Sequence, residues 1–594
     1  MKDGYILDYI SGCEVRATPE EIQAVQPFCK ILVEDYGYPK SVISAHPQYR
    51  VRVRPSDTKK EYPVDIAVFG SDSKNDDEVK IIVECKKATR KDGLEQLKDY
   101  LRFSDAEIGV WYNGEERAYI RKYYDNGKVI FRPIPNIPKY GQNISDIGKL
   151  KKGDLILAPA PHLKATFRAI RNHLAANAVG VTRDEVLAQQ MINILFCKIY
   201  DENYTPNTES LQFRAEETEN QTPEIVKKRI DDLFKKVKAW ETNVIDKNDA
   251  ITLDANSVFY VVGELQGYSL VNAPRDSVAD AFEVFIDHAL KGGQGQFFTP
   301  RNVVKMMVDI LQPTTKDYVI DPACGSGGFL EEVLRYTFNQ LEQDKEKYGW
   351  GEAVLSEQKR TVVSHINGID KDYFLSKVAR AYMAIFGYGN SCIYCEDSLE
   401  KPSSWKAETK FNVALGKYSV VLTNPPFGSK IPVSGEDKLR QYDLAYKWKK
   451  DKKVGAWSKG ALKDSESPQV LFIERNLEFL ADSGRMGIVL PDGVFGNETF
   501  GYLRNWLSER GRIIAIVDIP VETFQPHTAT KTSVLFFQKL PKDRIPKDYE
   551  VFMAIADTCG HDRRGNEIAS DDIQQVAAKY HEWIKNHPLD KGDE

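Results

Sequence analysis

Short apolar segments alternate with helical patterns through the second half of this 594-residue chain. The segments that read as strands are Tyr318–Ile320, His365–Ile369, Ser419–Thr423, Met486–Leu490, Ile513–Val517 and Ser533–Phe537. Parallel strands need long crossover connections, which are usually helices, so this alternation is typical of a mostly parallel sheet. The pattern predicts an α/β fold with a doubly wound, Rossmann-like sheet from about residue 295 onwards.

Before residue 295, the predicted secondary structure changes twice along the chain. Tyr62–Phe69 and Val79–Cys85 read as strands and Gly93–Phe103 as a helix, which predicts a small α/β unit. Prolines then mark a linker, and from about residue 160 the pattern is helical. The predicted division is 1–135 for the α/β unit, 136–155 for the linker, 156–290 for a helical domain, 291–545 for the doubly wound domain and 546–594 for a C-terminal helical tail.

Composition excludes several classes of protein. Hydrophobic residues make up 42% of the chain and charged residues 28%, as in globular proteins. The longest apolar stretches, such as Ile513–Val517, are far shorter than the ~20 residues of a membrane span. Eight cysteines in so long a chain do not make a disulfide scaffold, and no signal segment is visible, so we expect a cytoplasmic protein without a membrane partner. A net charge of −6 excludes nucleic-acid binding by bulk charge alone, but it permits a local basic groove.

A glycine-rich turn follows the first predicted strand of the doubly wound region. Glycines in such a turn let a ligand approach the backbone closely, and no Gly-Lys-Ser/Thr follows, so a phosphate loop is disfavoured. Asp370 ends the next strand, where an acid can accept hydrogen bonds from ribose hydroxyls, and Asp397 ends a further strand, where it could pair with an adenine amino group. The turn contributes the candidate ligand-binding residues Asp321, Gly325, Ser326, Gly327 and Gly328.

A fourth motif, Asn424-Pro425-Pro426-Phe427, follows another apolar strand. With the Asp-Pro-x-x-Gly-x-Gly-Gly-Phe turn about a hundred residues earlier, it resembles the S-adenosylmethionine-dependent DNA adenine-N6 methyltransferases. The segment Gly295-Gln296-Phe297-Phe298-Thr299-Pro300-Arg301 lies just upstream of the glycine-rich turn. Within that group, this segment resembles the modification (M) subunit of type I restriction systems, and the resemblance covers roughly residues 160–560. It implies donor-binding roles for Gln296, Phe297, Phe298, Thr299, Pro300 and Arg301.

The chemistry of adenine methylation explains these residue types. The lone pair of N6 is delocalised into the ring, so the nitrogen is a poor nucleophile. The side-chain carbonyl of Asn424 and the backbone carbonyl of Pro425 can accept its two N–H bonds, which favours a pyramidal nitrogen aimed at the donor methyl. Two prolines stiffen the loop, and Phe427 offers a flat face to a flipped base. Upstream, Thr299 can cap a helix that begins at Pro300, whose N-terminus suits the donor carboxylate.

The N-terminal unit carries a second set of candidate catalytic residues. Asp65 lies in the first strand, Glu84 ends the second, and alternation places Glu84 and Lys86 on the same face. Two carboxylates that bind Mg²⁺ beside a lysine can cleave a phosphodiester. Gln96 and Tyr100 follow at a spacing of one helical turn.

This Asp…Glu-x-Lys…Gln-x-x-x-Tyr pattern resembles the PD-(D/E)xK nucleases, particularly the N-terminal domain of type I restriction (R) subunits. The resemblance covers about residues 25–125 and implies a restriction-endonuclease-like fold, with Asp65 and Glu84 as metal ligands and Gln96 in the catalytic set. Glu34, on an earlier helix, matches an acid often found in that family. Whether the domain cleaves DNA, or only docks DNA or a partner, stays open.

The sequence contains neither a helicase motif nor room for a target-recognition domain, and this indicates which partners to expect. No Gly-x-x-x-x-Gly-Lys-Ser/Thr occurs, so we expect no helicase motor, and only about 55 residues follow Lys539, too few for a target-recognition domain. We therefore expect double-stranded DNA as substrate, a separate specificity (S) subunit, and a second copy of the chain as a further candidate partner. Five lysines in Lys447–Lys453, interleaved with Trp448 and near Trp457, indicate either a solvated face or a phosphate contact.

Four hypotheses remain at this stage. The first is a bifunctional subunit that methylates adenine and cleaves DNA with Mg²⁺, and the second is a type I modification subunit whose nuclease-like domain is inert. A non-catalytic DNA-binding scaffold is disfavoured by the intact methyltransferase motifs. A methyltransferase for protein glutamine or ribosomal RNA uses a similar Asn-Pro-Pro-aromatic motif, but the nuclease-like domain favours DNA.

Overall fold

The computed structural model forms two compact units, Met1–Lys291 and Gly292–Glu594. It describes residues 4–589 apart from 54–58, 60, 91, 115, 126–127, 135, 143–149, 158–159, 181–182, 216–221, 241–244, 247, 274–277, 279–280, 282–283, 286–298, 386–391, 429–430, 452, 454, 526–529 and 565. No helix within these ranges combines the length and the apolar character that a membrane crossing requires.

The first unit combines a mixed sheet with a group of helices. Its strands are β1 (Tyr5–Leu7), β2 (Glu14–Arg16), β3 (Ile43–Ser44), β4 (Arg50–Val51), β5 (Tyr62–Pro63), β6 (Ile66–Phe69), β7 (Val79–Cys85), β8 (Ile108–Tyr112), β9 (Arg117–Asp125) and β10 (Lys128–Pro133). Its helices are α1 (Gln26–Glu34), α2 (Leu94–Arg102), α3 (Ala160–Asn177), α4 (Asp184–Tyr204), α5 (Pro223–Trp240) and α6 (Ala255–Leu265). The main sheet has the order β10-β9-β8-β7-β6-β3, and within it only β7 and β8 pair in parallel.

Helices cover both faces of this sheet. Phe28 and Leu32 of α1 pack in one core with Val83, whereas Leu97 of α2 packs in another core with Ile82. Successive strand residues point to opposite faces, so the adjacent Ile82 and Val83 serve different cores. The predicted small α/β unit is confirmed.

Two details of this unit differ from a plain reading of the sequence. The predicted strand Tyr62–Phe69 is two strands, β5 and β6, because β5 pairs with β4 outside the main sheet. Within the predicted linker, Ile137 is buried in the core and the Tyr140 N–H donates to the Tyr36 carbonyl. The start of that segment therefore packs on the α/β unit, and the domain boundaries themselves stay predictions.

The helices of the first unit are joined to the sheet by a buried ion pair. The Nε of Arg117, on β9, donates to Oε2 of Glu264, on α6, over 2.6 Å. The Nη2 of Arg117 donates to the Thr166 hydroxyl of α3 over 3.0 Å. The helical region predicted before the doubly wound sheet is confirmed, and it packs against the α/β part.

The second unit is built on one large sheet. Its strands are β11 (Val319–Asp321), β12 (Ile366–Asp370), β13 (Ile393–Cys395), β14 (Tyr418–Thr423), β15 (Val433–Ser434), β16 (Tyr446–Lys450), β17 (Trp457–Leu462), β18 (Ser465–Glu466), β19 (Leu480–Pro491), β20 (Gly511–Asp518), β21 (Thr532–Lys539), β22 (Phe552–Ile555), β23 (Cys559–His561) and β24 (Glu567–Asp571). Its helices are α7 (Arg301–Leu311), α8 (Gly328–Tyr348), α9 (Glu352–Ser364), α10 (Tyr373–Ile385), α11 (Ala407–Asn412), α12 (Glu436–Leu439), α13 (Pro468–Phe479), α14 (Gly493–Gly496), α15 (Gly501–Ser508) and α16 (Ile573–Ile584).

The large sheet has the strand order β13-β12-β11-β14-β19-β21-β20-β22. Neighbours from β13 to β19 pair in parallel, and β21 runs antiparallel to both β19 and β20. Central strands such as β14 have Val420, Val421 and Leu422 buried on both faces, as a doubly wound sheet requires. The predicted Rossmann-like fold class is confirmed.

The C-terminal segment differs from the predicted helical tail of 546–594. It ends in the helix α16, but β22 also joins the edge of the large sheet, parallel to β20. An edge strand needs only one paired side, so the short segment Phe552–Ile555 joins the sheet without a long apolar run.

Candidate functional site

The candidate donor site lies where the strand order of the large sheet reverses. The chain passes from β11 to β12 on one side, and β14 returns to the other side of β11. In open α/β sheets such a reversal opens a crevice at the carboxyl ends of the strands. The glycine-rich turn follows β11 and Asn424–Phe427 follows β14, so both motifs lie at this edge.

A cavity of about 470 Å³ opens at this edge, within the ~300–1,000 Å³ typical of small-molecule sites. The predicted site residues that line it are Gly325, Asp370, Asp397, Asn424, Pro425, Pro426 and Phe427. Apolar side chains such as Leu375 and Phe472 and the cationic Lys371 and Lys438 complete the wall. Four motifs that lie up to about a hundred residues apart thus surround one cavity.

Asp370 holds the glycine-rich turn in place. Its Oδ2 accepts a hydrogen bond from the Gly325 N–H over 2.9 Å, and its Oδ1 accepts one from the Asp372 N–H over 2.8 Å. Gly325 has a φ of +53°, a left-handed conformation that glycine adopts readily. Burial raises the pKa of Asp370 to about 6, against the effect of these two hydrogen bonds.

Asp321 lies at the end of β11, behind the cavity lining. Its Oδ1 accepts a hydrogen bond from the Ala323 N–H over 3.0 Å, and the side chain is almost fully buried. Burial raises the pKa of Asp321 to about 7. A desolvated carboxylate at this position favours a positively charged ligand group nearby.

The side-chain amide of Asn424 is oriented by Thr299. Its Nδ2 donates to the Thr299 hydroxyl over 3.0 Å, and its Oδ1 is buried with no hydrogen-bond partner among the described residues. A buried oxygen without a partner costs free energy, so this atom is a ready acceptor for a ligand N–H.

The prediction that Thr299 caps a helix beginning at Pro300 is wrong. The helix begins at Arg301, and Pro300 occupies the capping position without a side-chain hydrogen bond. Thr299 therefore stands one residue too early to reach the N–H groups of the first turn, and its hydroxyl accepts from Asn424 instead.

The remaining predicted donor residues lie beside the cavity lining or beyond what the structure describes. Gln296, Phe297 and Phe298 lie outside the described residues. Ser326, Gly327 and Gly328 continue the turn into α8, and a Cβ on Gly327 would lie 3.3 Å from the Cβ of Ala379. Arg301 is exposed in the first turn of α7. Donor-binding roles for these residues stay predictions.

Asp397 is engaged by a residue that the sequence analysis missed. Its Oδ1 accepts from the Leu399 N–H over 2.9 Å, and its Oδ2 lies 2.7 Å from the Nζ of Lys438. The same Nζ lies 2.8 Å from Glu400. No motif marks Lys438, which lies 41 residues beyond Asp397 in the segment that follows Asn-Pro-Pro-Phe.

The N-terminal candidate residues meet at the β6–β7 pair. Asp65 immediately precedes β6, and its Oδ2 accepts from the Cys85 N–H over 2.7 Å. Glu84 and Lys86 form a largely buried ion pair, so they share a face as the alternation predicts. Burial and the nearby Glu84 charge raise the pKa of Asp65 to about 7, and burial raises the pKa of Glu84.

Helix α2 faces this carboxylate pair. The Nε2 of Gln96 donates to the Tyr100 hydroxyl, and burial together with the charges of Glu84 and Asp65 raises the pKa of Tyr100. A cation bound between Asp65 and Glu84 would offset the desolvation of both carboxylates, so the two side chains fit the predicted Mg²⁺.

The predicted acid Glu34 points elsewhere. It is exposed at the end of α1 and accepts a hydrogen bond from the Tyr9 hydroxyl over 3.0 Å. Instead, the charge of Glu20 contributes to raising the pKa values of Asp65 and Glu84. The helical spacing of α1 did not reveal this, because Glu20 precedes that helix.

A separate cluster of Asp8, Glu21 and His46 brings three metal-ligand side chains within 4.8 Å of one another, among the residues that the structure describes. Gln26 already donates to Asp8 over 2.8 Å and to Glu21 over 2.7 Å, and His46 lies 3.0 Å from Glu21. These internal hydrogen bonds tie the N-terminal segment to α1, so we interpret the cluster as structural.

Two family models match the chain. The one described as N-6 DNA Methylase matches residues 273–592, which is more than half of the sequence and includes all the described cavity residues. The one described as Type I restriction enzyme R protein N terminus (HSDR_N) matches residues 19–138, which include Asp65 and Glu84.

Individual proteins match the chain at low identity. The chain is 26% identical over 370 residues to the Type I restriction enzyme EcoEI methylase subunit of Escherichia coli, which covers 61% of this chain and 62% of that protein. It is 24% identical over 314 residues to the MjaVII methylase subunit of Methanocaldococcus jannaschii, covering 52% and 48%. The chain thus spans less than two thirds of the length of either relative. The type I restriction-modification system methyltransferase subunit from Streptococcus thermophilus matches with a TM-score of 0.49 and 20% identity, covering 72% of this chain and 94% of that one.

Proposed function

The chain belongs to the N-6 DNA methylase family, and from that premise we propose that it is the methylating subunit of a type I-like restriction-modification complex. In this proposal it transfers a methyl group from S-adenosylmethionine to adenine N6 in double-stranded DNA in the cytoplasm. The observation that carries the proposal is the Oδ1 of Asn424, which is buried at the cavity wall and has no hydrogen-bond partner among the described residues.

The residues around the cavity fit S-adenosylmethionine. Gly325, Asp370 and Asp397 all line the cavity. In this proposal Gly325 permits close approach to the backbone, Asp370 accepts from the ribose hydroxyls, and Asp397 accepts from the adenine amino group. The buried Asp321 complements the positive charge of the donor. Bound there, the donor supplies an electrophilic methyl group on a positively charged sulfur.

The chain positions the target base for this transfer. Asn424 Oδ1 and the Pro425 carbonyl each accept a hydrogen bond from N6, while the hydrogen bond to Thr299 fixes the orientation of the Asn424 amide. Phe427 lies on the same wall and offers a flat surface to a base rotated out of the duplex. The N6 lone pair forms the new N–C bond as the S–C bond of the donor breaks, and the donor leaves as the neutral thioether S-adenosylhomocysteine. No general base has to act before this transfer, and the methylated nitrogen then loses one proton to solvent.

Asn424→Ala tests the proposal directly. We expect methylation of duplex DNA to fall below detection while binding of S-adenosylhomocysteine, measured by calorimetry, stays close to wild type. Asn586→Ala, at an exposed asparagine of the same unit, is the matched control and should change neither. Methylation by Asn424→Ala at the wild-type rate would contradict the assignment.

We propose that a separate specificity subunit recognises the DNA target sequence. A second copy of the chain is a further candidate partner. The chain alone should bind duplex DNA weakly and methylate no defined sequence. Addition of the specificity subunit should create tight binding to one site. A chain that methylates one defined sequence by itself overturns this part.

A second candidate function is Mg²⁺-dependent DNA cleavage by the N-terminal unit. The raised pKa of Asp65 beside Glu84 and the adjoining Lys86 supports it. Asp65→Asn and Glu84→Gln should stop cleavage of unmodified DNA by the complex while sparing methylation, and Lys86→Ala should reduce cleavage without loss of Mg²⁺ binding. The exposed Glu95→Gln on the same unit is the control. Cleavage that survives all three substitutions assigns cutting to another protein, and a wild-type complex that never cuts favours an inert domain.

A further inference from the structure

A lysine-rich hairpin projects from the segment that follows Asn-Pro-Pro-Phe. This segment leaves the large sheet after β14 and returns to it at α13, and its two ends are joined by the short β15–β18 pair. Val433 and Ser434 of β15 line the donor cavity. Farther along, β16 and β17 pair antiparallel and form the hairpin. One continuous segment thus contributes both to the cavity wall and to the hairpin.

Two tryptophans hold the hairpin on the body of the second unit. The Trp448 ring stacks on Tyr502 with centroids 6.2 Å apart and planes within 12°, and Trp457 meets the same ring edge-on at 6.2 Å. A Cβ on Gly501 would come within 2.9 Å of the Trp457 ring, so the contact is close. Tyr502 lies in the first turn of α15, a helix that begins ten residues after the carboxyl end of β19. Because β14 and β19 are parallel, the hairpin packs near the sheet edge that holds the cavity.

The hairpin carries a patch of exposed lysines. Lys447, Lys449, Lys450 and Lys453 are exposed and form no ion pair within the described part of the chain. By contrast, the neighbouring Lys459 pairs with Asp443 over 2.6 Å, and Lys463 pairs with Glu466.

We propose that the β16–β17 hairpin contacts the phosphate backbone of DNA beside the target adenine. This inference rests on the proposed function, because it takes DNA as the substrate at the adjoining cavity. Charge complementarity favours this occupant: phosphates lie at short, regular intervals along a duplex, and lysines bind them without regard to sequence. The stacked tryptophans fix the hairpin, so little ordering is needed when the lysines meet the backbone.

The test compares two fourfold variants of the full chain. The hairpin variant carries Lys447→Gln, Lys449→Gln, Lys450→Gln and Lys453→Gln. The control carries Lys316→Gln, Lys542→Gln, Lys547→Gln and Lys579→Gln, which remove the same charge from exposed sites elsewhere on the second unit. Fluorescence anisotropy with a 30-base-pair duplex is measured across a NaCl series. Each phosphate contact contributes about 0.9 to the slope of log affinity against log salt.

We expect the hairpin variant to lose roughly 2 to 4 from that slope, and at least about tenfold in affinity at low salt, while the control keeps the wild-type slope. Both variants should bind S-adenosylhomocysteine as the wild type does. Equal slopes for the two variants overturn the proposal. Unchanged DNA binding with lost assembly onto a specificity subunit also overturns it, in favour of an acidic protein surface. If the wild-type chain binds no duplex even with a specificity subunit present, the proposed function fails. If the hairpin variant keeps the wild-type slope, that function stands and this inference alone falls.

Discussion

Asp370 combines two tasks in one carboxylate. Its oxygens accept from the N–H groups of Gly325 and Asp372, and the same side chain lines the cavity. Burial raises the pKa of Asp370 to about 6. If Asp370 binds the donor's hydroxyls as proposed, its ionised form should accept those hydrogen bonds more strongly than its protonated form, so donor affinity should depend on its protonation.

We predict that affinity for S-adenosylhomocysteine falls as pH drops through about 6. The raised pKa means that the carboxylate protonates at mildly acidic pH, and a ligand that binds the ionised form loses up to about tenfold per pH unit below it. Asp370→Asn should weaken binding at pH 8 by about 1.5–3 kcal/mol and remove this step. Calorimetry from pH 5 to 8 measures this pH dependence for both proteins. A fall in affinity near pH 6 that persists in Asp370→Asn would assign the titration to another group.

At the scale of elements, the short helix α12 and the residues after it form ion pairs and hydrogen bonds with the loop that follows β13. Lys438 bridges Asp397 and Glu400, and both the Gln441 side chain and the Tyr442 hydroxyl donate to the Leu399 carbonyl over 2.8 Å. The loop beside the proposed donor adenine is thus held by the segment that also carries the lysine-rich hairpin.

Lys438→Met should weaken donor binding by roughly 1–3 kcal/mol, because Asp397 and Glu400 lose their shared cation and the loop loses its position. Lys401→Met, at an exposed lysine of the neighbouring segment, is the control and should leave affinity unchanged. Calorimetry with S-adenosylhomocysteine measures both. Tighter binding by Lys438→Met would mean that the lysine competes with the donor for Asp397.

At the scale of the whole molecule, the first unit depends on a buried charge pair between its sheet and its helices. Arg117 and Glu264 lie 147 residues apart in the chain and are both buried, and Arg117 also donates to Thr166. Removal of one member leaves a buried charge without a partner, whereas removal of both leaves an apolar contact.

Arg117→Met should therefore destabilise the first unit by about 3–5 kcal/mol, and adding Glu264→Leu should restore part of that loss. Lys98→Met, which breaks the surface pair with Glu95, should cost less than about 1 kcal/mol. Hydrogen exchange of β8 and β9 in the full chain, together with denaturant unfolding, measures these changes. A double variant less stable than Arg117→Met would contradict the pairing argument.

The sequence by itself determined the fold class and the motifs. Strand and helix periodicities and glycine or proline turns are local, so the predicted strands of the large sheet lie within the observed ones or extend a residue beyond them, as Tyr318–Ile320 does against Val319–Asp321. The motif residues at or just after the ends of β11, β12, β13 and β14 converge on one cavity, because the carboxyl ends of parallel strands share an edge. The roles of these residues and the domain boundaries stay predictions.

Only the tertiary structure decided which distant side chains meet. Thr299 binds Asn424 across 125 residues, and Lys438 pairs with Asp397 across 41 residues. None of these pairs shares an element or a repeating pattern. Their proximity follows from how helices and inserted segments pack against the sheet, a long-range property that the local spacing of residues does not contain.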